Sequence, residues 1–477
     1  MVNDQVKNEK NMNKQSINEP IINEQIINDA LENNKNVPKE KLLEIIERGK
    51  KLEGLSYDEI AAILQNKDEE VTKALFKAAG EIKNKIYGNR VVMFAPLYIS
   101  NYCVNSCAYC GYQASNKFDR KRLSKEEIIQ EVKLLEQMGH KRLALEVGED
   151  PNNCPIDYVL DAIDTIYSVK TKDGNIRRIN VNIASTTVEN YKKLKARDIG
   201  TYILFQETYH KSSYEQVHGK CLKGDYEYHL TAFDRAMQAG IDDVGAGVLF
   251  GLYDYKFEVL GLMMHNAYLE KKYGVGFHTI SVPRLKKAEG MDLEMFPHIL
   301  DDETFKRLIA IIRLAVPFTG MILSTRESME LRREAINYGI SQVSAGSSTG
   351  VGGYKEREEG NSVEQFDVSD HSSPLEVVKE LLSQGFVPSY CTACYRSGRT
   401  GDRFMQLAKS GNIHNVCSPN ALMTLMEYVE DFGDSELKVS AKELIYKEAE
   451  KLENEKVKSL LLKNLELIEN GERDLFL

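Results

Sequence analysis

Six of the eight cysteines fall into two groups of three, and each group is one ligand short of a closed metal site. Cys103, Cys107 and Cys110 stand at C-x3-C-x2-C spacing, with Tyr109 just before the last thiol. A structural zinc ion closes its tetrahedron with four Cys or His ligands, so Cys154 or Cys221 would have to supply the fourth. A cubane iron–sulfur cluster held by three thiolates keeps one iron open to an outside ligand. Cys391, Cys394 and Cys417 pose the same choice: C-x2-C, then twenty-two residues, then a third cysteine. Here a second open-iron cluster competes with a zinc knuckle completed by His414. Local spacing of this kind in a large chain reads as metal binding rather than as disulfides.

Whatever these thiols hold must be positioned by a sizeable fold. The chain has 477 residues, 42% hydrophobic and 28% charged, which suits one large domain with appendages. A net charge of -10 argues against a nucleic-acid or anionic-membrane surface. No apolar run reaches the ~18 residues of a membrane span, and the start lacks a basic segment followed by an apolar core. A cytoplasmic protein is expected.

Residues 1–30, rich in Asn, Gln and Ile, read as an irregular or weakly helical arm. Helical patterns follow over Pro38–Lys51, after the capping box of Ser56 and Glu59, and over Asp68–Tyr87. From Arg90 short apolar runs alternate with amphipathic helices. The runs are Val91–Tyr98, Arg142–Val147, Ile179–Ile183, Thr201–Phe205, Asp243–Leu249, Phe277–Val282, Gly320–Ser324 and Ile340–Ser344. Eight such runs with crossover helices imply parallel strands closed into a (β/α)8 TIM-type barrel, an α/β fold, with an open doubly wound sheet as the alternative. A helical N-terminal extension (1–88), the barrel (89–382) and a helical C-terminal domain (383–477) are expected. That last domain, beyond the eighth strand, is expected to cover the barrel mouth.

A TIM-type barrel builds its active site from the loops after the strands. After the first run comes the Cys103–Cys110 loop, and after the second Gly148-Glu149-Asp150. The fourth ends near Glu207, a carboxylate suited to a cationic cofactor. The sixth ends in Val282-Pro283-Arg284 and the seventh in Ser324-Thr325-Arg326. Guanidinium forks match carboxylates, so Arg284 and Arg326 suit a cofactor carboxylate and an amino-acid substrate. Each of these charges also has a plain reading as a structural ion pair. The glycines of Ala345–Gly353 allow close approach of backbone to a ligand, or form a lid.

The first cysteine motif resembles the signature of the radical S-adenosylmethionine (SAM) superfamily. That resemblance implies a 4Fe-4S cluster whose open iron chelates SAM, with Tyr109 near the adenine. It also implies a Gly-Gly-Glu segment after the second strand, matched in part by Gly148 and Glu149 behind Val147. With Cys391-Thr392-Ala393-Cys394-Tyr395-Arg396-Ser397-Gly398-Arg399 and Cys417 added, the chain resembles the HydG family of [FeFe]-hydrogenase maturases, which are radical SAM tyrosine lyases. The thiazole-pathway tyrosine lyases share the barrel motifs without the C-terminal cysteines, and a non-enzymatic iron–sulfur or zinc scaffold is a further alternative.

The resemblance implies cleavage of the L-tyrosine Cα–Cβ bond to p-cresol and dehydroglycine, with Ser324, Thr325 and Arg326 as substrate-site candidates. It implies an auxiliary 4Fe-4S cluster on Cys391, Cys394 and Cys417, carrying an extra iron with a cysteine ligand, where the fragment becomes CO and cyanide. The extra iron takes a barrel histidine, matched here to His265. A reductant such as ferredoxin or flavodoxin and other hydrogenase maturation proteins are the implied partners.

Overall fold

The computed structural model describes residues 20–359 and 365–477; the first part of the expected N-terminal arm lies outside them. Eight strands form a closed parallel barrel: β1 (Arg90–Ser100), β2 (Arg142–Val147), β3 (Arg178–Asn182), β4 (Tyr202–Glu207), β5 (Val244–Val248), β6 (Thr279–Ser281), β7 (Gly320–Leu323) and β8 (Gln342–Ser344). Each pairs with the next, and β1 closes the ring against both β2 and β8. Helices follow the strands, as parallel connections require, so the (β/α)8 barrel is the fold and the open sheet is not.

Strand β1 shows how the sequence pattern becomes the barrel. Side chains alternate faces along a strand. Val91, Met93, Ala95, Leu97 and Ile99 are sealed under the surrounding helices, whereas Phe94, Pro96 and Tyr98 line the interior cavity. Capping boxes at Ser56/Glu59 and Ser124/Glu127 start the helices Tyr57–Gln65 and Lys125–Gln137. The N-terminal helices end in Glu69–Tyr87, which packs on the barrel helices Asp302–Ala315 and Met329–Tyr338.

A ninth strand, β9 (Val387–Ser389), pairs in parallel with the first residues of β1, Arg90↔Val387 through Val92↔Ser389. The barrel sheet therefore runs on past residue 383. Because β9 joins the amino-terminal end of β1, the helices that follow, from Ala393 to Glu469, pack beneath the barrel. They do not cover its mouth. The expectation of a covering domain is corrected by strand direction alone.

Candidate active site

At the carboxyl ends of the strands lies a cavity of about 230 Å³ lined by Cys103, Cys107 and Cys110 together with Glu146, Glu149, Glu207, Lys223 and Arg326. Its cysteine loop is held from several sides. Asn105 donates to Glu149 Oε2 at 2.5 Å, and Lys223 N donates to Asn105 Oδ1 at 3.0 Å. The amides of Val104 and Ala108 donate to Glu149 O and Val217 O, each at 2.9 Å. Gly148 lets the end of β2 meet this loop: a Cβ there would stand 2.4 Å from Tyr102 O. Burial pushes the Cys110 thiol up to about 11 and raises Cys103 and Cys107 as well. Thiols this hard to ionise call for a strongly cationic ligand group to release their protons.

Tyr109 lines the cavity, and its orientation is set from behind. His218 Nδ1 donates to Tyr214 O at 2.8 Å, so Nε2 is the acceptor for the Tyr109 hydroxyl, also at 2.8 Å. Glu207 ends β4 with φ at +68°, in the left-handed region, beside a register shift against β5. Non-glycine residues hold that conformation at a cost of order 1–3 kcal/mol, and such residues cluster at functional sites. It brings the carboxylate 2.5 Å from Lys223 Nζ. Burial opposes the Lys223 charge, but Glu207 and Cys107 outweigh it and hold the ammonium pKa above its ordinary value.

Arg326 enters the cavity over the ring of Phe366, its guanidinium carbon 3.2 Å from the centroid. No carboxylate among the described residues pairs with it, and burial lowers its pKa. Ser324 and Thr325 line the same wall, with Glu146 and Asn182 nearby. Burial holds Glu146 well above the usual carboxylate range.

The second cysteine group lies at the opposite end. Cys391 follows β9, and its carbonyl accepts from Arg142 Nη1 at 3.0 Å; Cys394 and Cys417 have their sulfurs 4.0 Å apart. The side chains that meet this group stand at or just before the first residues of β1 to β6. Tyr395 donates to Thr201 Oγ1 at 3.1 Å, and Thr201 donates to Asp243 Oδ1 at 3.0 Å. Arg178 lies over the Tyr395 ring at 4.0 Å. His278 packs 4.5 Å from the ring of Phe404, which in turn packs on Cys394 and Cys417, and its Nδ1 is 3.8 Å from Asp243 Oδ1.

The Radical SAM superfamily model matches residues 97–263, and the Biotin and Thiamin Synthesis associated domain matches 281–387. Among curated proteins, 2-iminoacetate synthase of Salmonella typhimurium is 32% identical over 344 residues, covering 72% of this chain and 89% of its own. A crystal structure of HydG, a maturase of the [FeFe]-hydrogenase, is 56% identical with a TM-score of 0.93, over 96% of this chain and all of the other. HydG from Carboxydothermus hydrogenoformans is 38% identical with a TM-score of 0.79, over 98% of this chain and 99% of its own.

The chain belongs to the HydG family.

Radical SAM membership implies a 4Fe-4S cluster and SAM, and the upper site of this HydG-family chain fits them. Three thiols from one loop, no fourth ligand, and carboxylates around an enclosed cavity suit an open-iron cluster with a sulfonium cofactor. A mononuclear zinc ion fits less well. Among the described residues no three His, Cys, Asp or Glu side chains converge as ligands of one ion would, whereas a cubane spreads its thiolates over different irons. The spare ligands are also engaged elsewhere. Cys154 donates to Ser100 Oγ, Cys221 to His218 O, and His414 Nε2 to Lys85 O.

Two sequence expectations need correction. Arg284 does not line the cavity: its Nε donates to Glu327 Oε1 at 3.0 Å, a second nitrogen pairs with Glu327 Oε2, and Nη1 meets Asp302 at 2.8 Å. It is a buried structural ion pair. His265 lies in the long helix Tyr255–Tyr273, fully buried among Tyr209, Phe233, Tyr268 and Phe277, with Tyr209 Oη 3.1 Å from its Nδ1. His278, at the foot of the barrel, packs on Phe404 beside Cys394 and Cys417. Sequence reasoning also passed over Lys223, Glu146 and Asn105. The lysine sits in a loop with no motif around it, and only the contact with Glu207 marks it.

Proposed function

We propose that this chain cleaves the Cα–Cβ bond of L-tyrosine to p-cresol and dehydroglycine, and that the fragment becomes CO and cyanide, delivered on iron for assembly of the hydrogenase H-cluster. The observation that carries this reading is the pair of three-cysteine sites at the two ends of one barrel, in a chain 56% identical to HydG over nearly its whole length. The 2-iminoacetate synthase likeness supports the tyrosine half of the reaction. The lower cysteines, Tyr395 and His278 favour the two-site reading over a lyase that stops at dehydroglycine.

When bound, the cluster on Cys103, Cys107 and Cys110 with SAM supplies a 5′-deoxyadenosyl radical. The protein's own part is to bind and orient. Asn105 and Gly148 fix the cysteine loop, and Glu149 and Glu207 place negative charge around the sulfonium. Arg326, without a carboxylate partner among the described residues, receives the carboxylate of tyrosine with its fork, and Ser324 and Thr325 stand beside it. The enclosed barrel keeps water from a reactive fragment. Below, Cys391, Cys394 and Cys417 would hold the auxiliary 4Fe-4S cluster, with His278 in place of His265 as the barrel histidine toward the extra iron. A one-electron donor such as ferredoxin or flavodoxin supplies the reductant.

The test is anaerobic incubation of reconstituted protein with SAM, dithionite and tyrosine. Deoxyadenosine, p-cresol and infrared bands of metal-bound CO and cyanide are expected. In Cys103→Ala, Cys107→Ala or Cys110→Ala, deoxyadenosine should vanish; wild-type rates in any one of them would remove the upper site from the mechanism. His278→Ala should weaken the carbonyl bands and spare SAM cleavage.

A further inference from the structure

The two ends of the barrel differ in charge. Around the upper cysteines the cations Lys223 and Arg326 stand among the carboxyl groups of Glu207, Glu146 and Glu149. Around the lower cysteines the charges are guanidinium groups, and three of them meet no side-chain carboxylate among the described residues. Arg90 donates Nε to Tyr87 O at 2.9 Å, and its charge bears on Cys417. Its Nη2 is buried without a partner. Arg142 donates Nη1 to Cys391 O and has a buried, unpartnered Nε. Arg399 donates Nη2 to Leu477 O at 2.6 Å, and its Nε is likewise unpartnered. Geometry ties two of them to the set, Arg142 Nη1 donating to Cys391 O at 3.0 Å and the Arg399 amide to Cys394 O at 2.7 Å, and Arg90 bears electrostatically on Cys391 and Cys417.

Unpaired buried guanidinium groups are expensive, since their charge has left water without compensation. Arg142 is buried and Arg90 and Arg399 are half-buried, so with no side-chain carboxylate among the described residues to meet them the site favours completion by something negative. Lys83 lies behind Arg90, but burial brings its pKa down to about 7. The permanent charge therefore rests on the arginines, which cannot lose their protons. Nearby acidic side chains are already occupied: Asp243 with Thr201 and near His278, and Asp242 with Thr400.

We infer that Arg90, Arg142 and Arg399 form a cationic collar that stabilises the negative charge of the group held on Cys391, Cys394 and Cys417, and so raises its reduction potential. This rests on the reading of those cysteines as ligands of a second iron–sulfur cluster. Positive charge and hydrogen bonds to the sulfurs favour the reduced, more negative state of such a cluster. The collar also favours any anionic ligand that joins it, cyanide among them. The arginines act through the cluster, as positioning and tuning residues.

The experiment is a potentiometric titration of the reconstituted full chain, followed by electron paramagnetic resonance, in wild type, Arg90→Gln, Arg399→Gln and Arg90→Lys. The lower cluster in each Gln variant should titrate at a more negative potential. At the wild-type midpoint its oxidised-to-reduced ratio should rise about tenfold or more, the weight of one partly buried charge. The upper cluster should titrate unchanged. Arg90→Lys keeps the charge and loses the fork, so it should stay nearer wild type; it also carries the test if the Gln variant fails to hold iron. An unmoved lower potential, an equal shift in both clusters, or a Lys variant displaced as far as Gln would overturn the collar alone. A wild-type protein with no second cluster signal would overturn the two-cluster reading and the collar with it.

Discussion

Two arginines at the rim of the same barrel have unlike fates, and the difference is one neighbour. Arg284 is claimed by Glu327 and Asp302; Arg326 has a ring beneath it and no carboxylate among the described residues. Replacing Arg284 by Met leaves Glu327, only 2% exposed, buried without its main partner, at a cost of about 3–5 kcal/mol. The melting temperature should fall sharply while the KM for tyrosine stays within about twofold. Arg326→Lys should do the reverse: stability nearly unchanged and tyrosine binding weaker by about tenfold, the worth of one charge-assisted fork. Calorimetry and tyrosine titration of both variants separate the two roles.

His265 gives a second test at this scale. Burial holds its pKa down to about 4, against an ordinary value near 6.5. Such a group is neutral in the folded protein, so the unfolded chain gains protons first as the medium is acidified. Its contribution to stability is present above the ordinary pKa and is lost as pH falls toward the folded one. Between pH 7 and pH 5 wild type should lose about 2 kcal/mol more than His265→Phe. Equal losses in chemical denaturation at the two pH values would mean that the imidazole is not the buried neutral group seen here.

At the scale of elements, the meeting of β2 with the cysteine loop is the tightest fit. Gly148→Ala would drive a methyl group into Tyr102 O. The loop must move, and with it Cys103. The expected outcome is a folded protein, by circular dichroism, with reduced iron at the upper site and intact iron at the lower. Full iron at both sites would show that the loop adapts freely.

All eight barrel strands and both cysteine groups were legible in the sequence, because period-two apolar runs and C-x-x-C spacing are local signals. β9 was not: three residues with a proline, Val387-Pro388-Ser389, carry no pattern. Missing it put the C-terminal helices at the wrong end. The choice between His265 and His278 was equally illegible. Which side chain meets Phe404 depends on residues over a hundred positions away, and helical periodicity cannot say what lies outside the helix. Glu207 was found by its place at a strand end, but its partner Lys223 sits in a loop without rhythm.

For the whole molecule, placing the two sites at opposite faces of the barrel divides the labour. The upper site has its own thiols, carboxylates and arginine, so Cys391→Ser, Cys394→Ser and Cys417→Ser combined should leave deoxyadenosine and p-cresol formation largely intact. The same variant should lose the infrared bands of iron-bound CO and cyanide. If p-cresol disappears as completely as in a Cys103 variant, the lower module is part of the tyrosine site, and the division of labour fails.

Strand β1 begins with Arg90, against Cys417, and ends at Ser100, three residues short of Cys103. Its eleven residues, at about 3.3 Å each, span roughly 35 Å. The interval between the two chemistries is thus written into the covalent backbone as a ruler. A residue inserted between Phe94 and Ala95 would slip the strand's register with β2 against its register with β8 and β9, and turn side chains of one half to the other face. Loops at either end are free to diverge without touching that interval. Under the proposed two-site function, the length of any passage between the upper and lower cysteines is a fixed dimension of the barrel.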